Sequence, residues 1–415
     1  MPSYASYVIV LMMEGRLEFI SGGGITSPAG FCAGATCAGI KEESRGKLDL
    51  AILLSDNLCT AAGVFTTNRV RAAPVLLTRQ RLQKGRSVAL VVNSGCANAV
   101  TGEGGMADAV AMADMVAKKT GLLAEDVLVA STGVIGERLP MEKIRAGISG
   151  VALSGDGGHQ LARAIMTTDT VPKEVAVRVD DGQFSIGGVA KGSGMIHPDL
   201  ATLLCFLTTD ACVEPDFLRE AMQRAVDVSF NMVSIDGDTS PNDMVLIMAN
   251  GMAGNEPLSS GSSHADTFQQ ALNQVCVHLA KAIARDGEGA SRMIEVTVKG
   301  AANQAEARVA ARTVVSSPLV KAAVYGKDPN WGRVIAAAGR SGVEISETEF
   351  DLYFGDVCLV KSGHIAPFDS GEAVKALSGS EVSIILNLNL GSAAATAWGC
   401  DLTEEYVVIN SQYTT

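Results

Sequence analysis

The chain has 415 residues with 33 basic against 45 acidic side chains, a formal charge of −12, and that balance argues against an electrostatic nucleic-acid surface. Hydrophobic residues at 47%, charged residues at 19% and 44 glycines exclude a disordered chain and describe a small-residue-rich α/β protein with two or three core-bearing layers or domains. Nine cysteines, an odd number with no Cys-x-x-Cys pair, predict reduced thiols and a cytoplasmic protein.

In chain order, the apolar run Tyr7 to Met13 comes first. It lacks a preceding basic residue and a small-residue cleavage pattern, and falls far short of the roughly 20 apolar residues that span a bilayer. It reads as a ragged terminus or an edge strand. Strand-like runs follow at Leu48 to Leu54, Ser87 to Val92, Val127 to Ala130 and Val175 to Val179, alternating with Ala-rich segments of helical spacing. Met106 to Lys119 reads as a helix, and Pro140 stands where a first-turn proline opens another. The clearest helix is predicted from about Asp266 to Arg285. There Phe268, Leu272, Val275, Cys276, Leu279 and Ile283 share one face, and Gly287 supplies a stop. No repeat of 20 to 50 residues and no Pro-rich linker divides the chain.

The segment KGSGMIHPDLATLLCFL, Lys191 to Leu207, runs a Gly-rich loop into an apolar strand beginning at Thr202. A hydroxyl becomes a nucleophile when a base takes its proton, and the α-amino group of the same residue can be that base once the residue is a chain terminus. Ala201 followed by Thr202 suits the self-cleavage this requires. The freed amine, with a pKa of roughly 7.7 to 8.0, is partly neutral near pH 7. On these letters alone the plainer reading is a threonine starting a strand. Acyl chemistry also needs oxyanion donors, and the Thr132 hydroxyl with the Gly133 N–H, just after a strand, offers them. A strand-to-helix turn with a Ser/Thr cap fits those letters equally.

Cys96 in VVNSGCANA can be weighed as a nucleophile. No histidine has a recognisable partner motif, so a packing role is favoured. Lys191 suits a substrate carboxylate, although most lysines are only solvated. Glu288 follows the C-terminal end of the long helix, where a negative charge gains nothing from the helix dipole, which suggests that it is reserved for a cationic ligand; a surface loop is the commoner reading. Asp236, Asp238 and Asp243 lack the EF-hand spacing, so an acidic turn beside a cationic substrate or a structural Asx turn is preferred to a metal. KDPNWGR, Lys327 to Arg333, reads as turn chemistry with structural packing. P-loop, dinucleotide, H-E-x-x-H and G-x-S-x-G signatures are all missing.

Taken together, NSGCANA, ASTGVIGERLP, AIMTTDT, KGSGMIHPDLATLLCFLTTDA, DGDTSPND, KDPNWGR and DLTEEYVVINSQYTT resemble the ornithine acetyltransferases, or glutamate N-acetyltransferases, of arginine biosynthesis. The resemblance runs in order from about Gly22 to Thr415. It implies a layered αββα sandwich similar to that of self-processing aminopeptidases. It also implies a cut between Ala201 and Thr202 that makes an α chain of residues 1–201 and a β chain of residues 202–415. Thr202 would be the nucleophile and Thr132 with Gly133 the oxyanion hole. Substrate contacts would fall on Thr168, Lys191, Thr202, Glu288, Asn410 and Thr415, with Thr167 as a neighbouring candidate for the first. The implied reaction is a ping-pong transfer of acetyl from N2-acetylornithine to glutamate without a metal or resident cofactor, with acetyl-CoA as a second donor in some members. Cleaved αβ units would pair as α2β2. Cys96 stands where Asn or another small polar residue is expected, and Asp199-Leu200 where Asn-Met is frequent. These departures bear on cleavage rate and fine specificity. The competing readings are a self-cleaving aminopeptidase or amidase on the same fold and an uncleaved binding protein that has lost catalysis.

Overall fold

The structure, a computed structural model, describes residues 17–40, 46–179, 183–197 and 203–412. Tyr7 to Met13, Ala201, Thr202 and Thr415 lie outside them. Two compact units are present: a larger one from Leu17 to Glu288 joined by the chain from Val407 onward, and a smaller one from Gly289 to Tyr406. The division falls at Glu288/Gly289.

The larger unit begins with strands β1 (Leu17–Phe19), β2 (Phe31–Thr36) and β3 (Leu50–Phe65), then helix α1 (Ala73–Arg81) and β4 (Arg86–Asn93). Next come α2 (Gly102–Thr120), β5 (Val127–Ser131), α3 (Met141–Gly150) and α4 (Gly158–Ala164). After these follow β6 (Lys173–Val179), β7 (Phe184–Lys191), β8 (Leu204–Thr209), α5 (Pro215–Val228), the short β9 (Val233–Ser234), β10 (Met244–Ala249) and α6 (Ala265–Arg285). Nine strands make one mixed sheet in the order β1-β6-β7-β8-β10-β3-β4-β5, with β2 beside β3. Alternation along its strands sends side chains to two cores. Leu50, Ile52, Val91 and Val129 pack with Met112, Val116, Ile144 and Ile148 of α2 and α3. Leu53, Leu90, Val92, Leu128 and Phe206 point the other way, into a core that includes Leu161 and Ala162 of α4. With both faces covered, the apolar stretches of β4, β5 and β8 are near-continuous instead of alternating.

The α6 expectation holds: all six stripe residues are buried and the helix ends at Arg285. Met106 to Lys119 lies within α2, which starts earlier, at Gly102. Pro140 caps α3 from the position before its first turn, and thus sits one residue upstream of the expected N1 place.

The smaller unit holds β11 (Met293–Ala301), α7 (Gln304–Val315), α8 (Pro318–Tyr325), α9 (Trp331–Gly339) and β12 (Asp351–Phe354). It continues through β13 (Val357–Lys361), β14 (His364–Ile365), α10 (Ser370–Ala376), β15 (Glu381–Asn387) and β16 (Ala393–Cys400) to the last helix, α11 (Glu404–Gln412). Its strands follow the order β14-β13-β12-β15-β11-β16, and α7 packs on β11 and β16. Asn303 caps α7 by accepting the Glu306 N–H at 3.0 Å while its own amide donates to the Glu306 carboxylate at 2.8 Å, a reciprocal arrangement that satisfies an orphan helix donor. KDPNWGR is a turn with positive φ at Lys327, leading into α9 at a half-buried Trp331. Two sheets, each with helices against it, are the components of the layered α/β arrangement the resemblance implied. Among the described residues no helix is long and apolar enough to cross a membrane.

Candidate active site

The oxyanion candidates stand at the end of β5, whose five residues are all buried. Parallel pairing with β4 places Ser131 opposite Asn93. The Ser131 hydroxyl donates to the Asn93 side-chain oxygen at 2.6 Å, the Asn93 amide donates to the Cys96 carbonyl at 2.9 Å, and the Thr132 N–H donates to the Asn93 carbonyl at 3.0 Å. These bonds lock the turn after β4 against the turn after β5. Gly133 has φ +124°, and a Cβ there would lie 2.4 Å from the Gly95 carbonyl carbon, so only glycine fits the approach of the two turns. Cys96 is buried beneath them, and burial raises its thiol pKa above the ordinary value despite a bond to the Asn98 backbone, which agrees with packing rather than nucleophilic chemistry.

Thr132, Gly133, Thr168, Lys191, Glu288 and Asn410 line one cavity of about 80 Å³. Six positions from five separate stretches of sequence thus meet in one place. Lys191 ends β7 with only 7% of its surface exposed, and its ammonium has no hydrogen bond or ion pair among the described residues. Its one electrostatic neighbour is the buried Asp169, which Lys173 already pairs, so the ammonium keeps its hydrogen-bonding capacity for an anion in the cavity. Glu288 is 8% exposed, and its carboxylate accepts from the Asn410 amide at 2.8 Å. Its backbone N–H donates to the Ser193 carbonyl at 2.8 Å, and a Cβ on Gly194 would collide with the carboxylate at 2.3 Å. A cationic and an anionic side chain therefore face one small polar cavity.

Behind Lys191 lies a buried ion network. Lys173 donates to Asp169 and to Asp286, each at 2.6 Å, with side-chain exposures of 1%, 0% and 7% for the three. Asp169 also accepts from the Gly192 N–H at 2.7 Å and the Thr167 N–H at 3.1 Å. Burial alone would raise the Asp169 carboxyl, but the Lys191 and Lys173 charges and the bonds from Lys173 and Gly192 outweigh it and hold its pKa below the usual carboxylate value. The network fixes the Thr167-Thr168 loop, where the Thr168 hydroxyl bonds that of Ser193 at 2.7 Å. Both Thr167 and Thr168 line the cavity.

The acidic stretch resolves in favour of the structural turn. Asp236 accepts from the Ile196 N–H at 2.9 Å, from the Met195 N–H and from the Asp238 N–H at 3.3 Å, while burial pushes its pKa up. None of the three aspartates lines the cavity, and among the described residues no group of three His, Cys, Asp or Glu could hold a metal. Their polar neighbours Ser240 and Asn242 line it instead. Asn242, 4% exposed, donates to the Ala97 carbonyl at 2.6 Å and the Ser131 carbonyl at 2.8 Å, bridging both turns of the oxyanion segment. Sequence reasoning passed over it because charge, the only signal in that stretch, pointed at the aspartates.

These features define a two-unit α/β protein with a small, dipolar cavity built on a glycine-tight turn. The chain belongs to the ArgJ family, whose sequence pattern matches residues 32–415. A relative from Dehalococcoides mccartyi (strain CBDB1), named Arginine biosynthesis bifunctional protein ArgJ, is 53% identical over 405 residues, covering 97% of this chain and 100% of that protein. One of the same name from Symbiobacterium thermophilum is 54% identical over 403 residues, 96% of this chain and 100% of that protein. A solved Arginine biosynthesis bifunctional protein argJ from Bacillus halodurans is 44% identical, covers 50% of this chain and 97% of that one, and superposes with a TM-score of 0.49.

Proposed function

We propose that the protein is a glutamate N-acetyltransferase of arginine biosynthesis that moves acetyl from N2-acetyl-L-ornithine to L-glutamate and also accepts acetyl-CoA as donor. The reading is carried by the convergence of Thr132, Gly133, Thr168, Lys191, Glu288 and Asn410 on one cavity, and it is supported by near full-length relatives named as bifunctional arginine-biosynthesis proteins.

The precursor activates itself. The Thr202 hydroxyl attacks the Ala201 carbonyl, the amide nitrogen leaves as the Thr202 α-amine, and water hydrolyses the resulting ester to give chains 1–201 and 202–415. In turnover that amine takes the Thr202 hydroxyl proton as the oxygen attacks the acetyl carbonyl. The Thr132 hydroxyl and Gly133 N–H stabilise the oxyanion. Ornithine departs with the proton, and the glutamate amine then displaces Thr202 from the acetyl ester. The Lys191 ammonium receives the α-carboxylate common to both amino acids, Glu288, braced by Asn410, receives the cationic amine of ornithine, and Thr168 and Thr415 complete the substrate contacts. The cleaved units pair as α2β2 in the cytoplasm.

Ornithine release from N2-acetylornithine is expected to require glutamate in stoichiometric exchange. Release that proceeds equally without glutamate would make the protein an amidase instead. Thr202→Ala is expected to run as one band near 43 kDa and to transfer no acetyl group, whereas turnover by that variant would remove Thr202 as nucleophile.

A further inference from the structure

The larger unit carries a second, wider concavity, of about 490 Å³, within the range of small-molecule sites. It opens where β3 loses a neighbour. β4 pairs with β3 only as far as Thr60, opposite Arg86, whereas β10 follows β3 to Phe65. The stretch from Ala61 to Phe65, which has no strand on its β4 side among the described residues, lines the groove. Arg79 comes to it from α1, Arg71 from the loop after β3, and Arg219 from α5.

No aspartate or glutamate lines this groove, in a chain where acidic side chains outnumber basic ones 45 to 33. Several guanidiniums are matched by carboxylates: Arg86 meets Asp126 at 3.1 Å, Arg138 meets Asp108 at 2.6 Å, and Arg219 is held by Asp216 outside the groove. Arg71 and Arg79 have no hydrogen bond or ion pair among the described residues. Two uncommitted guanidinium forks beside a third, with the Gln83 amide on the same wall, form a cationic surface rich in donors and suited to oxyanions.

The geometry points to a binding site for a polyanionic small molecule, its oxygens phosphate or carboxylate, whose occupancy is felt in the catalytic cavity. The loop that carries Arg71 is bonded to the segment lining that cavity. The Thr66 N–H donates to the Asp243 carbonyl at 3.0 Å, and its hydroxyl to the Ser240 carbonyl at 2.8 Å. The Asn68 amide donates to the Thr239 carbonyl at 3.0 Å, and the Ala72 N–H to the Pro241 carbonyl at 3.0 Å. Ser240 and Asn242 of that segment line the cavity. A ligand that draws Arg71 inward therefore loads the wall that braces the oxyanion turn.

Calorimetric titration of the full-length protein with inorganic pyrophosphate, and separately with citrate, tests the site. Saturable binding of at least one is expected, weakening with added salt and by roughly tenfold or more in the Arg71→Gln/Arg79→Gln variant with an unchanged unfolding temperature. Which probe binds tells a phosphate ligand from a carboxylate one. No saturable binding of either, or equal binding by the variant, overturns the proposal. The coupling rests on the acetyltransferase reading: the saturating anion is expected to change kcat or KM of acetyl transfer in the wild type and not in the variant, and unchanged kinetics in the wild type would refute the coupling. The heat of binding needs no turnover, so failure of the acetyltransferase reading would leave the binding result standing.

Discussion

Substituting Gly133→Ala tests the oxyanion turn at its tightest point. The new methyl would lie 2.4 Å from the Gly95 carbonyl carbon, 2.6 Å from the Cys96 nitrogen and 2.7 Å from the Gly95 Cα, all backbone atoms that cannot rotate away. Ordinary contact begins at 3.4 Å, so the two turns must part by about 1 Å. The φ of +124° adds strain of about 1–3 kcal/mol for a residue with a Cβ. The Val134 N–H to Gly95 carbonyl bond, already 3.4 Å long, would not survive the separation. Displacing a donor by about 1 Å costs roughly 10²-fold and removing it roughly 10²–10³-fold in kcat. The expected variant is folded, melts a few degrees lower, and transfers acetyl at least about 100-fold more slowly, with KM for N2-acetylornithine little changed. Self-cleavage, followed by denaturing electrophoresis over time, should slow in parallel because it passes through the same kind of oxyanion. Wild-type rates of both cleavage and transfer would refute the assignment of this turn to the oxyanion.

Three further outcomes follow from the charges around the cavity. Lys191→Met is expected to raise KM for N2-acetylornithine and for glutamate about 10-fold to 100-fold through loss of a charge-assisted contact, and to lower the unfolding temperature because the buried Asp169 carboxylate loses one of the charges that stabilise it; an unchanged KM would show that Lys191 does not meet substrate. Lys173→Met strips the cation from Asp169 and Asp286, and a broken buried pair of this kind costs about 3–5 kcal/mol, measurable by urea titration; a loss below about 1 kcal/mol would mean that the network is solvated. The Asp169 carboxyl is depressed below its ordinary 3.8 in the folded state, so its stabilisation is complete above that value and is lost as pH falls through the depressed one. The acid limb of the stability curve should therefore lie below about pH 4 and flatten in Asp169→Asn, and an identical limb in that variant would assign acid unfolding to other groups.

Elements with one strong hydrophobic pattern were legible in the sequence because burial of that pattern is what forms them. The α6 stripe is one case, and the apolar run of β4 and the all-buried run of β5 are others. Where the pattern was interrupted, the reading stopped short. The strand predicted at Leu48 to Leu54 continues to Phe65, past polar Ser55, Asp56 and Asn57. Pairing with β4 shifts register between Leu54 and Cys59, so this strand carries its polar residues through an irregularity that no periodicity of two would reveal. Similarly, α2 begins in Gly102-Glu103-Gly104-Gly105, a poor helix former by propensity. Tertiary contact overrides that weakness: the Gly105 carbonyl accepts from the Asn98 amide at 2.9 Å, and a Cβ there would collide with Thr101 and Asn98.

The site divides along the same line between local and non-local information. Gly133 and Lys191 announced themselves by their neighbours, a turn after a strand and a Gly-rich loop. Glu288 was noticed only because a carboxylate gains nothing at the end of α6. Its actual support is Asn410, 122 residues away, together with Gly194, whose missing Cβ makes room for the carboxylate. Asn242 had no signal at all. Its amide hydrogens are both committed, one to the Ala97 carbonyl and one to the Ser131 carbonyl, so the side chain ties together two turns that the sequence separates by 34 residues and whose closeness also excludes a Cβ at Gly133. A carboxylate in its place would set an acceptor against two acceptors, which is why asparagine and aspartate, nearly the same shape, are not equivalent there. Charge and periodicity can be read from a string of letters; a neutral amide used as a two-armed donor acquires its meaning only from the carbonyls the fold brings to it.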